Sequence, residues 1–238
     1  MARRWLITGA SRGIGAAIAA VAVGRGDSAL LVARGDAVRS VADELGAHAA
    51  QVDLSAPDGP AAAIAAAQEQ LGGLDVLVNN AAIHRGARIE KLPDGDFEAV
   101  VETNLIAPYR LCKEAVKVMG EGSAIVNIGA VVGFRGFPGD APYGSAKAGL
   151  AGLTLVLAVE LARRQITCNL VVPGFTETEM TGALDERARE KIVTRIPLRR
   201  PAEAREVAEV VGWVAATPYM TGAIVPVDGG LSAALGGV

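Results

Sequence analysis

The sequence predicts an α/β chain: a single-domain, doubly wound parallel sheet with helices on both faces. Three observations predict it. Short apolar runs alternate with helical patterns along the whole chain, the rhythm of βαβ units. Several of those runs are continuously apolar, as strands buried on both faces are. A glycine-rich turn, Gly9-Ala10-Ser11-Arg12-Gly13-Ile14-Gly15, joins the first run to the first helical pattern. Right-handed crossovers then give a sheet wound in both directions.

Trp5-Leu6-Ile7 is the first strand. A helical pattern runs from Ala16 to about Val23, and Gly24 and Gly26 end it. Ser28 to Ala33 is the second strand, Val38 to Leu45 a helix, and Ala49 to Val52 the third strand, closed by Asp53. Pro60 to Leu71 is an Ala-rich helix. Leu74 to Val78 is the fourth strand, leading into Asn79-Asn80-Ala81-Ala82. A long helical region covers Asp96 to Met119, with a bend expected near Pro108. Ser123 to Ile128 is the fifth strand. The next helix starts near Asp140, with Asp140 as its N-cap and Pro142 in its first turn. Thr167 to Val172 is the sixth strand, followed by Pro173-Gly174. Phe175 to Arg200 breaks the rhythm: it is polar and holds a short helical stretch around Asp185 to Ile192. An insertion after a strand's C-terminal end is where a substrate lid sits. A helix over Glu203 to Ala215 and a last strand over Ile224 to Val227 complete the chain. No repeat, linker or boundary interrupts it, so residues 1–238 read as one domain with a lid at about 175–200.

Composition narrows the function classes. The chain is 51% hydrophobic and 21% charged, which provides a sizeable core and argues against disorder. A net charge of −3 with mixed signs lacks a nucleic-acid footprint. The apolar runs are short and broken, so neither a membrane span nor a signal peptide is expected. Cys112 and Cys168 lie far apart and read as reduced core residues of a cytoplasmic protein. His48 and His84 are the only histidines, so no metal site is expected.

Tyr143 and Lys147 are four residues apart on the Asp140 helix, hence on one face. An ammonium beside a phenol favours the phenolate, so the pair predicts a tyrosine pKa below its usual value of about 10 and a group able to exchange protons. Gly9, Gly13 and Gly15 stand between strand and helix, where glycine lets the backbone approach a pyrophosphate on the helix N-terminus. That predicts a Rossmann-like dinucleotide site. An NAD site usually has an acid at the tip of the second strand, about 20 residues after the loop. Here the strand ends Val32-Ala33-Arg34. Arg12 and Arg34 are placed to fork onto a 2′-phosphate, which favours NADP(H) over NAD(H). The competing reading leaves Arg34 as solvated charge and gives the ribose to Asp36.

With these motifs in order, the chain resembles the short-chain dehydrogenase/reductase family over essentially its whole length. It is most similar to the 3-oxoacyl-acyl-carrier-protein and acetoacetyl-CoA reductases. Thr8 to Gly15, with Gly9, Ser11, Arg12, Gly13, Ile14 and Gly15, resembles the family's cofactor loop. Asn79-Asn80-Ala81-Ala82 resembles its Asn-Asn-Ala-Gly motif; Asn80 and Ala81 then line the cofactor groove. Asp53-Leu54 falls where the family cradles adenine. Pro173-Gly174 with Thr178 resembles the segment that holds the nicotinamide amide. Tyr143 and Lys147 match Tyr-x-x-x-Lys, and Asn104 falls at the family's catalytic asparagine. The resemblance implies that NADPH delivers hydride to a ketone while Tyr143 protonates the forming alkoxide. Lys147 then binds the nicotinamide ribose, and Asn104 holds a water linking Lys147 to a proton relay. It also implies a ketone or alcohol substrate, carried on CoA or acyl carrier protein, and a homotetramer paired through the apolar faces of 102–119 and 150–163.

One position departs. The family's serine, whose hydroxyl bonds the substrate oxygen, falls thirteen residues before the tyrosine, and here that residue is Ala130. A preorganised donor to a developing oxyanion is worth roughly 10²–10³ in rate, so slow turnover is expected. Either the alanine is natural and another donor compensates, or it is a serine-to-alanine substitution, the smallest change that removes the hydroxyl. Other functions remain open: an alcohol or polyol dehydrogenase of the same family, or a catalytically silent cofactor-binding member. His84 reads as a surface residue near the substrate mouth. Arg135, Arg163 and Arg164 either greet an acidic carrier protein or a CoA phosphate or, as the default, are solvated charge. Phe134, Phe137, Met180 and Leu184 either shape an apolar pocket or pack the lid on the body.

Overall fold

A computed structural model describes residues 2–182 and 185–234; Leu184 lies outside the described residues. The main sheet comprises β1 (Arg4–Thr8), β2 (Ser28–Ala33), β3 (His48–Gln51), β4 (Val76–Asn79), β5 (Ala124–Ile128), β6 (Thr167–Pro173) and β9 (Ile224–Val227). β7 (Thr176–Glu177) and β8 (Ala202–Glu203) form a separate two-residue ladder. The helices are α1 (Gly13–Gly24), α2 (Ala37–Leu45), α3 (Gly59–Leu71), α4 (Asp94–Val101), α5 (Ala107–Ala115), α6 (Ala141–Leu161), α7 (Glu179–Gly182), α8 (Glu186–Val193) and α9 (Ala204–Ala215).

The seven strands pair in parallel in the order β3-β2-β1-β4-β5-β6-β9. The chain winds outward from β1 to β3, then crosses back to β4. That reversal beside β1 is the topological switch point, where an open α/β sheet binds ligands at its strands' C-terminal ends. Every residue of β4 and β5 is buried, because helices cover both faces. One core layer joins the sheet to α1, α2 and α9 through Ile18, Val38 and Val211. The other joins it to α3, α5 and the end of α6 through Ile64, Leu111 and Leu161.

Three differences from the expected elements bear on the site. The long helical region is two helices separated by a π turn, Glu102–Ile106. The ladder changes register before Pro108, not at it. Pro108 sits in the first turn of α5, where its missing N–H costs nothing. Apolar periodicity passes through a one-residue π insertion with little visible break, so the sequence hid it. Asp140 occupies the N-cap position of α6 but makes no capping bond. Finally, α6 with its 3₁₀ extension, Ala141–Arg164, is by length and composition apolar enough to cross a membrane. Its inner face buries Leu150 against Leu170 and Val172 of β6, so we read it as a core helix.

A buried polar chain fastens α6 to the sheet. Asn79 Nδ2 donates to Asn127 Oδ1 (2.8 Å), Asn127 Nδ2 to Thr154 Oγ1 (2.9 Å), and Thr154 Oγ1 to the Leu150 carbonyl (2.7 Å). Thr154→Val keeps the shape but leaves the buried Asn127 amide only its long contact to Cys168 Sγ, at 3.8 Å. The expected cost is about 1–3 kcal/mol. At about 2–4 °C per kcal/mol for a chain of this size, thermal unfolding shifts down by several degrees. A melting curve that coincides with the parent's refutes this.

The ladder of β7 with β8 ties the two ends of the lid together, so 175–200 is a closed excursion at the C-terminal edge of the sheet. Asp185 caps α8 by accepting the Ala188 N–H at 2.7 Å.

Candidate active site

Tyr143 and Lys147 lie in the first two turns of α6, as their spacing predicts. The loop after β5, which carries Ala130, sits directly on that helix. A Cβ on Gly133 would stand 2.8 Å from the Ala148 nitrogen, and one on Gly144 3.1 Å from the Val132 oxygen. Glycines at both positions bring the two backbones together. Lys147 is buried, and its ammonium donates to the Ile128 carbonyl at 2.7 Å. It stands 5.6 Å from the centre of the Tyr143 ring.

The pKa directions differ from expectation. Burial pushes the Tyr143 phenol up to about 12, and the Asp140 carboxylate adds to the rise. Burial alone pulls Lys147 down to about 8. The expected depression of the tyrosine is overturned because desolvation disfavours both charged forms and the ammonium spends its bond on a backbone carbonyl.

Asn104 is buried within the π turn. Its Oδ1 accepts the Ile83 N–H and its Nδ2 donates to the Ile83 carbonyl, both at 2.9 Å. The side chain thereby clamps the segment after β4. The clamp presents the next residue, His84, to α6. His84 Nε2 meets Asp140 Oδ1 at 2.8 Å. The imidazole stands edge-on to Tyr143, with ring centroids 5.3 Å apart and planes at 67°. His84, a surface residue by its sequence context, is half exposed and belongs to the site. Only its place just after the Asn-Asn-Ala-Ala turn pointed to this, because its partners are more than fifty positions away.

The cofactor cradle lies at the switch point. Gly9 and Gly13 have φ of +64° and +56°, values that favour glycine. A Cβ on Gly9 would stand 2.7 Å from the Ala81 Cα, and one on Gly15 2.3 Å from the Gly9 oxygen. Thr8 Oγ1 accepts the backbone N–H groups of Asn80 (2.9 Å) and Ala81 (3.0 Å), while Asn80 Nδ2 donates to the Thr8 carbonyl at 2.9 Å. The turn after β4 thus braces the loop after β1. The N-terminus of α1 carries no side-chain cap and no acid in its first turn, which leaves backbone donors for an anion. Ser11 and Ile14 lie along this loop.

Arg12 and Arg34 are exposed, and neither guanidinium is hydrogen-bonded among the described residues. The Asp53 carboxylate takes the Ser55 hydroxyl at 2.6 Å, with Leu54 buried beside it. Thr178 faces the loop from the other side: a Cβ on Gly13 would stand 3.3 Å from its methyl group. Pro173 ends β6, and Gly174 lets the chain pass Asp228, whose Cα a Cβ there would meet at 2.6 Å. These residues fit a dinucleotide laid across the switch point.

The chain matches the family model described as Enoyl-(Acyl carrier protein) reductase over residues 9–232. It is 41% identical to the 3-oxoacyl-(acyl-carrier-protein) reductase FabG of Pseudomonas aeruginosa, covering 95% of this chain and 96% of that protein. It belongs to the short-chain dehydrogenase/reductases. Among solved members of that family, one from Burkholderia cenocepacia in complex with NADP is 33% identical, with a TM-score of 0.92 over 96% of this chain and 97% of that one. A blue fluorescent protein from a metagenomic library, in complex with NADPH, is 34% identical with a TM-score of 0.90, over 96% and 97% of the two chains.

Within this short-chain dehydrogenase/reductase some expected surface residues are used internally. Arg135 bonds the carbonyls of Ser232 and Ala234, and Arg164 bonds that of Met119 at 2.8 Å. Phe134, Phe137 and Met180 are each about half exposed. Cys112 and Cys168 are buried and free. No cluster able to hold a metal ion occurs among the described residues.

Proposed function

We propose that this oxidoreductase uses NADPH to reduce a ketone to a secondary alcohol. Its substrate class is a β-ketoacyl thioester on CoA or acyl carrier protein, and Ala130 slows it. The observation that carries the reading is Tyr143, held between buried Lys147 and the His84–Asp140 pair on the helix beside the cofactor cradle. When bound, the nicotinamide supplies the hydride. Tyr143, with its pKa up to about 12, remains a protonated phenol at neutral pH and is ready to protonate the far more basic alkoxide. Lys147, when charged, stabilises the phenolate that donation leaves. With its pKa near 8, that help fades as pH rises above about 8. Asn104 holds the segment that frames the substrate mouth.

NADPH preference is supported by the unpaired Arg12 and Arg34 guanidiniums and by the NADPH and NADP named in complex with the two solved relatives. Each charge-assisted bond to phosphate is worth about 1.5–3 kcal/mol. Arg12→Ala/Arg34→Ala therefore lowers the ratio of NADPH to NADH kcat/KM by tenfold or more, at about 1.4 kcal/mol per factor of ten. An unchanged ratio returns the ribose to Asp36. A homotetramer and a cytoplasmic location are part of the reading. Exposed Leu155, Val156 and Val159 on α6 and Tyr109 on α5 support the first, and the buried free thiols the second.

The deciding assay follows NADPH absorbance with acetoacetyl-CoA, β-ketoesters, diketones, a secondary alcohol with NADP and crotonyl-CoA. Faster loss with the ketones supports the reading. Preference for the alcohol points to a dehydrogenase, and preference for crotonyl-CoA to reduction of a double bond. No turnover on any substrate, with NADPH bound, identifies a silent member.

A further inference from the structure

His84 and Asp140 come from separate segments, and three features bring them together beside Tyr143. Asn104 clamps Ile83 through both backbone groups and so fixes the residue that follows. Gly86 lets the two turns touch: a Cβ there would stand 2.7 Å from the Gly139 oxygen and 3.3 Å from Asp140 Oδ1. Asp140 gives its carboxylate to the imidazole at 2.8 Å instead of capping the helix it begins.

Resting on the reading of Tyr143 as proton donor, we propose that His84 is a positioning residue for it. With the imidazole protonated, the His84–Asp140 pair is neutral and Tyr143 releases its proton readily. With the imidazole neutral, the bare Asp140 carboxylate opposes the phenolate. In the step itself the Tyr143 O–H bond breaks, an O–H bond forms on the substrate oxygen, and the negative charge passes to the tyrosine oxygen. His84 neither gives nor takes a proton. The titration directions agree. The bond to Asp140 raises His84 above its ordinary value, and the Asp140 charge contributes to the rise of Tyr143. Lys147 also faces the ring, at 5.6 Å, and favours the phenolate. Arg85, next to His84, is paired with Asp96 at 2.8 Å.

The test has one readout that needs no turnover. NMR titration of ¹³C-labelled histidine and tyrosine compares the parent with His84→Gln, Asp140→Asn, the double variant and Tyr143→Phe. The histidine signal lost in His84→Gln titrates above the ordinary histidine midpoint of about 6.5. Asp140→Asn brings it back down, and the ring signal lost in Tyr143→Phe shifts with the same midpoint. A Tyr143 signal blind to that midpoint, or a His84 midpoint unmoved by Asp140→Asn, overturns the proposal.

In turnover of acetoacetyl-CoA with NADPH near pH 6.5, His84→Gln is about tenfold slower than the parent, equivalent to one pKa unit on the tyrosine. It loses the limb of the pH profile centred on the His84 midpoint and keeps the Lys147 limb. The double variant recovers toward the parent rate, because the charge to be balanced is gone. A double variant as slow as His84→Gln makes the pair merely structural and overturns the proposal. Tyr143→Phe separates the two levels. Turnover that survives it breaks the proton-donor reading itself. Loss in Tyr143→Phe with an unchanged His84→Gln profile breaks only the role of His84.

Discussion

Tyr143→Phe lowers kcat for ketone reduction by roughly 10²–10⁴ and leaves NADPH affinity within a few-fold of the parent. That range is what a positioned general acid contributes. The phenylalanine keeps the ring against His84 and under Lys147, so packing is preserved and only the hydroxyl is lost. NADPH binding followed by fluorescence, alongside steady-state rates, checks both halves. Equal loss of affinity and rate means that the ring, not its proton, is what matters. An unaltered rate removes Tyr143 from the chemistry.

Ala130→Ser raises kcat by roughly 10²–10³ on whichever ketone the protein accepts, because it adds a donor aimed at the developing oxyanion. The backbone already suits it. Ala130 is extended, at φ −161° and ψ 151°, a conformation that serine adopts without strain. Its loop is held on α6 by Gly133 and Gly144, so the new hydroxyl arrives on a fixed frame. Rates measured on one substrate panel for both proteins decide it. If the serine variant is no faster on any ketone, the missing hydroxyl does not limit turnover and another donor already serves the substrate oxygen.

The strands were the most legible part of the chain. Buried parallel strands read as continuous apolar runs, and Ser28–Ala33 matches the expected span residue for residue, as does the partly exposed edge strand Ile224–Val227. The glycine loop was equally plain, since glycine is required where a Cβ would strike backbone, as at Gly9 and Gly15. The π turn was not legible: inserting one residue in a helical ladder barely changes the apolar period. Nor was the chain Asn79–Asn127–Thr154, because single polar residues in apolar segments carry no mark of their partners.

The sequence by itself determined the doubly wound sheet, the place of the cofactor loop, the Tyr143–Lys147 spacing and the absent hydroxyl at Ala130. Those properties are local, set by composition and period within one or two elements. Only the tertiary structure decided what surrounds the tyrosine. It buries Lys147 and ties it to Ile128, commits Asn104 to Ile83, and brings His84 and Asp140 to the ring. The direction of a pKa depends on desolvation and on charges from remote segments, and no spacing along the chain encodes either. A lysine four residues away therefore predicted a lowered phenol pKa, whereas burial and Asp140 raise it.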